Sequence, residues 1–154
     1  VQFSLAAAAL WRILEAETSV FIKIIMSGTK MDGAQALIKT LGDLGIEYVF
    51  GYSGGAAIPI FDALQTVKTN MKFILVRHEQ GAVHMADGYA RATGKPAVVL
   101  VTSGPGAGNT VTGIMTAMMD SVPMIILCGQ QVTWMLGKDA FQEADIFNIT
   151  APVV

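Results

Sequence analysis

The chain has 154 residues, enough for one domain, with 53% hydrophobic and 14% charged side chains and a formal net charge of −2. That balance excludes a disordered polymer, which needs low hydrophobicity and high net charge, and a strongly basic nucleic-acid module. A single cysteine, Cys128, excludes an internal disulfide framework and a cysteine-based zinc site.

The longest charge-free run at the N-terminus, Val1 to Trp11, falls short of the roughly 20 residues that a spanning helix needs. Arg12, Glu15 and Glu17 follow it. No basic residue precedes the run, which argues against a secretory signal, and the expectation is a cytoplasmic protein. Residues 1–25 read as an extension outside the domain, the alternative being an amphipathic helix packed on its body. The domain is then expected over 26–154, with Met26 at its head.

From Met31 the pattern is regular. Ala34, Leu37, Ile38, Leu41 and Leu44 recur at helical spacing and predict a helix over 31–44, closed by Gly45. Tyr48-Val49-Phe50 is a short β-rich run ended by Gly51. A helix is predicted over 56–67 and a strand over 72–76. Residues 80–93 form a second amphipathic pattern, with Ala82, Met85, Ala86, Tyr89 and Ala90 on one side and Gln80, His84, Asp87 and Arg91 on the other. Continuous apolar strands follow at 97–102 and 124–128, with a helix predicted over 109–119 between them. Past Gly129 the periodicity fades, and no closing element is evident.

Strands alternating with helices imply an α/β fold, a parallel sheet with helices on both faces. The uninterrupted apolar strands fit burial on both sides. Ligands bind such sheets beyond the carboxyl ends of the strands, which directs attention to loops 51–55, 77–79, 103–108 and 129–143.

Nucleotide motifs fail when counted. Gly104-Pro105-Gly106-Ala107-Gly108 has G-x-G-x-G spacing and does not follow the first strand. The stretch Gly88 to Lys95 has five residues between its glycines and Pro96 where a P-loop needs Ser or Thr. Gly51-Tyr52-Ser53-Gly54-Gly55 does match G-x-S-x-G between a strand and a helix. A serine hydrolase needs an acid and then a histidine later in the chain, yet the two histidines, His78 and His84, lie on the very next unit. A tight turn that uses glycine backbone freedom is the plainer reading of this loop.

Arg77-His78-Glu79-Gln80-Gly81 is more informative. Glu79 falls where a strand ends and a helix begins. The helix dipole there favours a carboxylate and burial favours the neutral acid, so Glu79 is a candidate proton-transfer group. A helix-capping glutamate is the plainer alternative. His78 and His84 are six residues apart, which does not suit two ligands on one helix face, and they read as surface or satisfied polar groups. Cys128 reads as an inert small hydrophobe. Met115, Met118 and Met119, at helical spacing, read as core or interface.

Five motifs in order resemble the large catalytic subunit of acetolactate synthases: Gly51-Tyr52-Ser53-Gly54-Gly55-Ala56, Arg77 to Ala82, His84 to Arg91, Thr102 to Asn109, and Asp139-Ala140-Phe141-Gln142-Glu143. The resemblance covers Met31 to Val154. It implies the pyrimidine-binding domain of a thiamine-diphosphate enzyme, whose α/β layering agrees with the pattern above. It also implies that Glu79 hydrogen-bonds N1′ of the cofactor's aminopyrimidine and favours the imino tautomer, whose nitrogen deprotonates thiazolium C2. Pyruvate would then be decarboxylated and its two-carbon unit joined to a second 2-keto acid. Tyr52, Pro105, Asn109 and Gln142 match positions that line the cofactor or its adducts. Ser53 stands where the family usually has proline, Gly108 where it has threonine, and Gln131 where valine is common. These departures bear on loop shape and substrate preference. Glu79 separates the chain from glyoxylate-type carboligases, which lack it.

The resemblance implies two further domains after this one, Mg²⁺ at the diphosphate, FAD, a homodimer whose active site lies between subunits, and in some members a regulatory small subunit. No Mg²⁺ motif is read in the 154 residues, so the chain alone is expected to be inactive. Other readings are another thiamine-diphosphate enzyme acting on 2-keto acids, a serine hydrolase through Ser53 and a non-catalytic interaction module.

Overall fold

The computed structural model describes residues 30–154, so the expected extension over 1–25 lies outside the described residues. Four strands, β1 (Tyr48–Gly51), β2 (Lys72–Leu75), β3 (Ala97–Val101) and β4 (Met124–Cys128), pair in parallel in the order β2-β1-β3-β4. Among the described residues, six helices connect and cover them: α1 (Gly33–Asp43), α2 (Ile58–Thr66), α3 (Glu79–Thr93), α4 (Pro105–Gly108), α5 (Val111–Met119) and α6 (Ile146–Thr150). Parallel pairing requires a crossover between strands, and α2, α3 and α5 supply it.

Side chains alternate across the sheet. Val49, Val98 and Leu100 face α1 and α2, where Ile38, Leu41 and Ala63 are buried. Phe50, Val99 and Val101 face the other layer, where Ala82, Val83, Ala86 and Ala90 of α3 and Ile114 of α5 are buried. Register sets Val49 beside Phe73 and Val98, and Val99 beside Ile126. Every residue of β3 is fully buried, which is why its sequence is continuously apolar.

Helix boundaries have local causes. Asp32 Oδ1 accepts from Gln35 N at 2.8 Å, and Asp32 N donates to Gln35 Oε1 at 3.1 Å, a reciprocal cap that starts α1. Gly94, at φ +70°, ends α3 in the left-handed conformation. At the opposite edge of the sheet from the candidate loops, Glu47 accepts from Tyr89 Oη at 3.1 Å and from Lys95 Nζ, tying the approach to β1 to the end of α3.

Four expectations are corrected. The helix predicted over 56–67 begins as a 3₁₀ turn, Gly55–Ala57, before α2. The stretch 103–119 is two helices: Gly104, at φ +53°, turns the chain and Pro105 opens α4. The end of the chain does close: α6 and a following 3₁₀ turn (Ala151–Val153) bring Ile146 and Val153 against the α3–α5 layer. Asp87, placed on the polar side of its helix by spacing, is buried, because α5 covers that flank of α3. Its Oδ2 accepts from Arg91 Nε at 2.8 Å, and Arg91 Nη2 reaches Asp120 beyond α5 at 2.7 Å. Met115, Met118 and Met119 of α5, read as core or interface, are all exposed, which sets aside only the core half of that reading.

The buried central strand makes a direct prediction. Leu100→Ala removes a side chain packed between β1 and the α1–α2 layer and is expected to cost about 2–5 kcal/mol. Urea unfolding of the two chains measures the difference.

Candidate active site

The connections diverge between β1 and β3: α2 leads from β1 outward to β2, and α5 leads from β3 outward to β4. That leaves a crevice at the carboxyl ends of the strands, the usual place for a ligand in an open parallel sheet. The four loops named from the sequence meet there. Gly54, after β1, lies against Thr102, after β3: a Cβ on Gly54 would stand 2.5 Å from the Thr102 Cβ. Gly129, after β4, lies against Ala56, where an added Cβ would come within 2.9 Å. Gly104 lies against the Gln142 carbonyl, which an added Cβ would approach to 2.1 Å. Small residues therefore let backbones approach where side chains would hold them apart.

Glu79 is the first residue of α3, half-buried at this edge. It does not cap its helix. His78 does: its Nδ1 accepts from Gln80 N at 3.2 Å. The Glu79 carboxyl is left to make a tertiary contact, and Asn109 Nδ2 donates to its Oε2 at 3.0 Å. The other oxygen, Oε1, faces Gly106, where an added Cβ would stand 3.3 Å away. Asn109 is placed by α4, whose far end is held by Thr110 Oγ1 donating to Ala107 O at 2.6 Å.

Pro105 opens α4 and is exposed at the crevice, beside Gly104 and Gln142. Gln142 takes φ +55°, a left-handed backbone that a non-glycine residue adopts only when its surroundings hold it there. Those surroundings are visible. Glu143 accepts from Ala140 N at 3.0 Å and from Gly137 N, which staples the loop. The same N–H donors, Gly137 first, hold the Glu143 carboxyl below the ordinary glutamate range. Tyr52 follows β1, with its amide donating to Leu100 O in the ladder, and the residue is 42% exposed.

The structure thus joins Glu79 to Asn109 directly and sets Gln142 against Gly104, the residue before Pro105; Tyr52 follows β1 at the same edge and, among the described residues, makes no hydrogen bond to Glu79. Thr102, Gly106 and Glu143 fall inside the five motifs, but sequence reasoning did not single them out as site residues. The polar run after Gly137 was the signal for Glu143, but a carboxylate bonding its own loop is invisible without the fold. Ser53 is exposed, its φ is not left-handed, and among the described residues no hydrogen bond joins it to a histidine. Burial pushes the Cys128 thiol up, as an inert cysteine requires. A pocket of about 420 Å³ opens beside these loops, lined among others by Ala56, Ser103, Gln130 and Gln142.

The N-terminal TPP binding domain of thiamine pyrophosphate enzymes matches residues 31–149 of the chain. The chain is 58% identical over 125 residues to an acetolactate synthase large subunit of Haemophilus influenzae, covering 81% of this chain and 22% of that protein. It is 57% identical over 124 residues to the acetolactate synthase isozyme 3 large subunit of Escherichia coli, covering 80% of this chain and 21% of that protein. The mitochondrial acetolactate synthase catalytic subunit of Aspergillus candidus is 59% identical over 108 residues, 70% of this chain and 15% of that protein. The chain therefore spans about a fifth of the length of the first two relatives.

Two predictions follow from the loop geometry. Gly104→Ala combines a strained φ with a backbone collision at Gln142 and is expected to cost about 1–3 kcal/mol, read by urea unfolding. Glu143 has a lowered pKa in the fold, so its staple is complete above the ordinary glutamate value near 4.5 and is lost as pH falls through the folded value. In a Trp11→Phe background, emission from Trp134 on the same loop should change as pH falls below about 4.5 and lose that step in Glu143→Gln.

Proposed function

The chain belongs to the thiamine pyrophosphate enzymes, through their N-terminal TPP-binding domain, and we propose that it is the N-terminal part of an acetolactate synthase. In this reading the complete protein decarboxylates pyruvate and joins the two-carbon unit to a second 2-keto acid. Residues 26–154 are the pyrimidine-binding domain, and 1–25 lie outside it.

The observation that carries the reading is the Glu79 carboxyl, half-buried at the crevice and held through one oxygen by Asn109. The pyrimidine end of thiamine diphosphate fits these residues. It needs a carboxyl for a ring nitrogen, and the space beside Oε1 is kept open by Gly106, where a Cβ would crowd that oxygen. When bound, the cofactor supplies a carbon nucleophile, the hard part of the chemistry. The chain's own part is proton handling. With Asn109 donating to Oε2, Oε1 is the oxygen left to share a proton with the ring nitrogen. Asn109 fixes the carboxyl's orientation; Tyr52, Pro105 and Gln142 line the pyrimidine end and exclude water from the shared proton.

Among the described residues no group of three or more His, Cys, Asp or Glu is placed to hold a metal ion. In the same proposal, the Mg²⁺ that anchors the diphosphate, and FAD, belong to other parts of the complete protein. The same reading has the domain pair with a second copy, whose diphosphate-binding domain would hold the cofactor used by Glu79, and leaves room for a regulatory small subunit. Exposed Met115, Met118 and Met119 support such a covered face.

Acetolactate formation from pyruvate, with thiamine diphosphate and Mg²⁺ supplied, tests the proposal. The 154-residue chain alone is expected to give no product. In the complete protein, Glu79→Gln should lower kcat about 10²- to 10⁴-fold. Turnover by the chain alone, or full activity in Glu79→Gln, would contradict it.

A further inference from the structure

Thr102, the residue after β3, is 9% exposed, and its hydroxyl is buried with no hydrogen-bond partner among the described residues. A buried orphan hydroxyl is costly, so the side chain's presence here calls for a reason. The reason lies in what touches it. On one side is the Cα of Gly54, where an added Cβ would stand 2.6 Å from Thr102 Cγ2. On the other is the Cα of Gly106, where an added Cβ would stand 2.7 Å from the same methyl and 3.3 Å from Glu79 Oε1. One methyl group thus fills the gap between the loop after β1 and helix α4.

We propose that Thr102 is a positioning residue for Glu79: its γ-methyl, clasped between Gly54 and Gly106, sets the height of α4 and so the place of the Glu79–Asn109 pair. The path is short and made of contacts. Thr102 bears on Gly106. Gly106 sits within α4, and Asn109 is the residue that caps the end of that helix. Asn109 then donates to Glu79 at 3.0 Å. Gly104 against Gln142 and Thr110 against Ala107 hold the two ends of α4. Removing the methyl lets the helix settle toward β3 between those anchors, carrying Asn109 off the carboxyl. The hydroxyl also lies against Gly54, where an added Cβ would stand 2.7 Å from Oγ1, but it makes no hydrogen bond and does not reach Gly106, so a valine of the same shape serves equally well. The role rests on the reading of Glu79 as the proton-sharing group, but the bond it controls exists in the chain without cofactor.

The test is NMR of the Asn109 side-chain amide in the 154-residue chain, with urea unfolding of the same samples. Thr102→Ser, which deletes the methyl and keeps the hydroxyl, should shift the Asn109 amide signals and speed their exchange about three- to tenfold. Thr102→Val should leave both unchanged and hold or raise the urea midpoint. Gly106→Ala should displace the signals by collision with the methyl, and Thr102→Ser combined with Gly106→Ala should bring them back, because each substitution makes room for the other. The proposal is overturned if Thr102→Ser lowers the urea midpoint while leaving the Asn109 signals in place, which is a purely structural role. It is also overturned if Thr102→Val behaves like Thr102→Ser, or if the double variant restores nothing. None of these outcomes bears on whether Glu79 serves a cofactor; the activity of Glu79→Gln in the complete protein decides that separately.

Discussion

Strand β3 has no exposed residue, and its neighbours are held to it by contacts that tolerate no added atoms. A Cβ on Gly51 would stand 2.0 Å from the Leu100 carbonyl, so β1 can lie at ladder distance only with glycine there. The ladder continues past that point, through Tyr52 N to Leu100 O, and the loop after β1 leaves the sheet directly above Thr102. Close approach in the sheet thereby becomes close approach in the crevice. The glycines at 51, 54, 104, 106 and 129 act in series: 51, 104 and 129 let one backbone settle on another, 54 and 106 make room for the Thr102 side chain, and together they bring four loops onto one edge.

The carboxyl at the centre of that edge owes its freedom to a division of labour at the start of α3. An N-terminal helix residue has orphan amides nearby that would attract a carboxylate. His78 satisfies one of them through its ring nitrogen, and Glu79 turns to Asn109, thirty residues further along. A group intended to share a proton with a ligand must not be saturated by its own helix, and one oxygen held by one amide leaves the other available. The loop that carries Gln142 is prepared in the same spirit: Glu143 consumes its own charge on backbone N–H groups, which keeps Gln142 in a left-handed conformation that its sequence would not choose.

Much of this was legible in the sequence, and the limits are instructive. β3 and β4 stood out because a doubly covered strand must be apolar at every position. The loops that meet at the crevice were found from the strand ends alone. The split at Gly104 was not, since Gly-Pro-Gly-Ala-Gly reads as a turn, and a four-residue helix gives no periodicity to detect. α6 escaped for the same reason; it starts on a cap, with Asp145 Oδ1 accepting from Asn148 N, and runs five residues. Asp87 falls on the polar side of its helix by spacing, which says nothing of a second helix lying over that flank. The motif resemblance singled out Glu79 and Asn109 independently, while the bond between them is a tertiary fact. Thr102 opened one of the motifs but carried no role, because a threonine at a strand end is unremarkable until two glycines are seen to press on it.

The proposed role of Glu79 is to prepare the cofactor's pyrimidine for proton removal at the thiazolium carbon. Hydrogen–deuterium exchange at that carbon, followed in thiamine diphosphate bound to the complete protein before any keto acid is added, tests it without the later steps. The account predicts fast exchange in the wild-type protein and a loss of about 100-fold or more in Glu79→Gln, with the cofactor still bound. Equal exchange rates in the two proteins would contradict it.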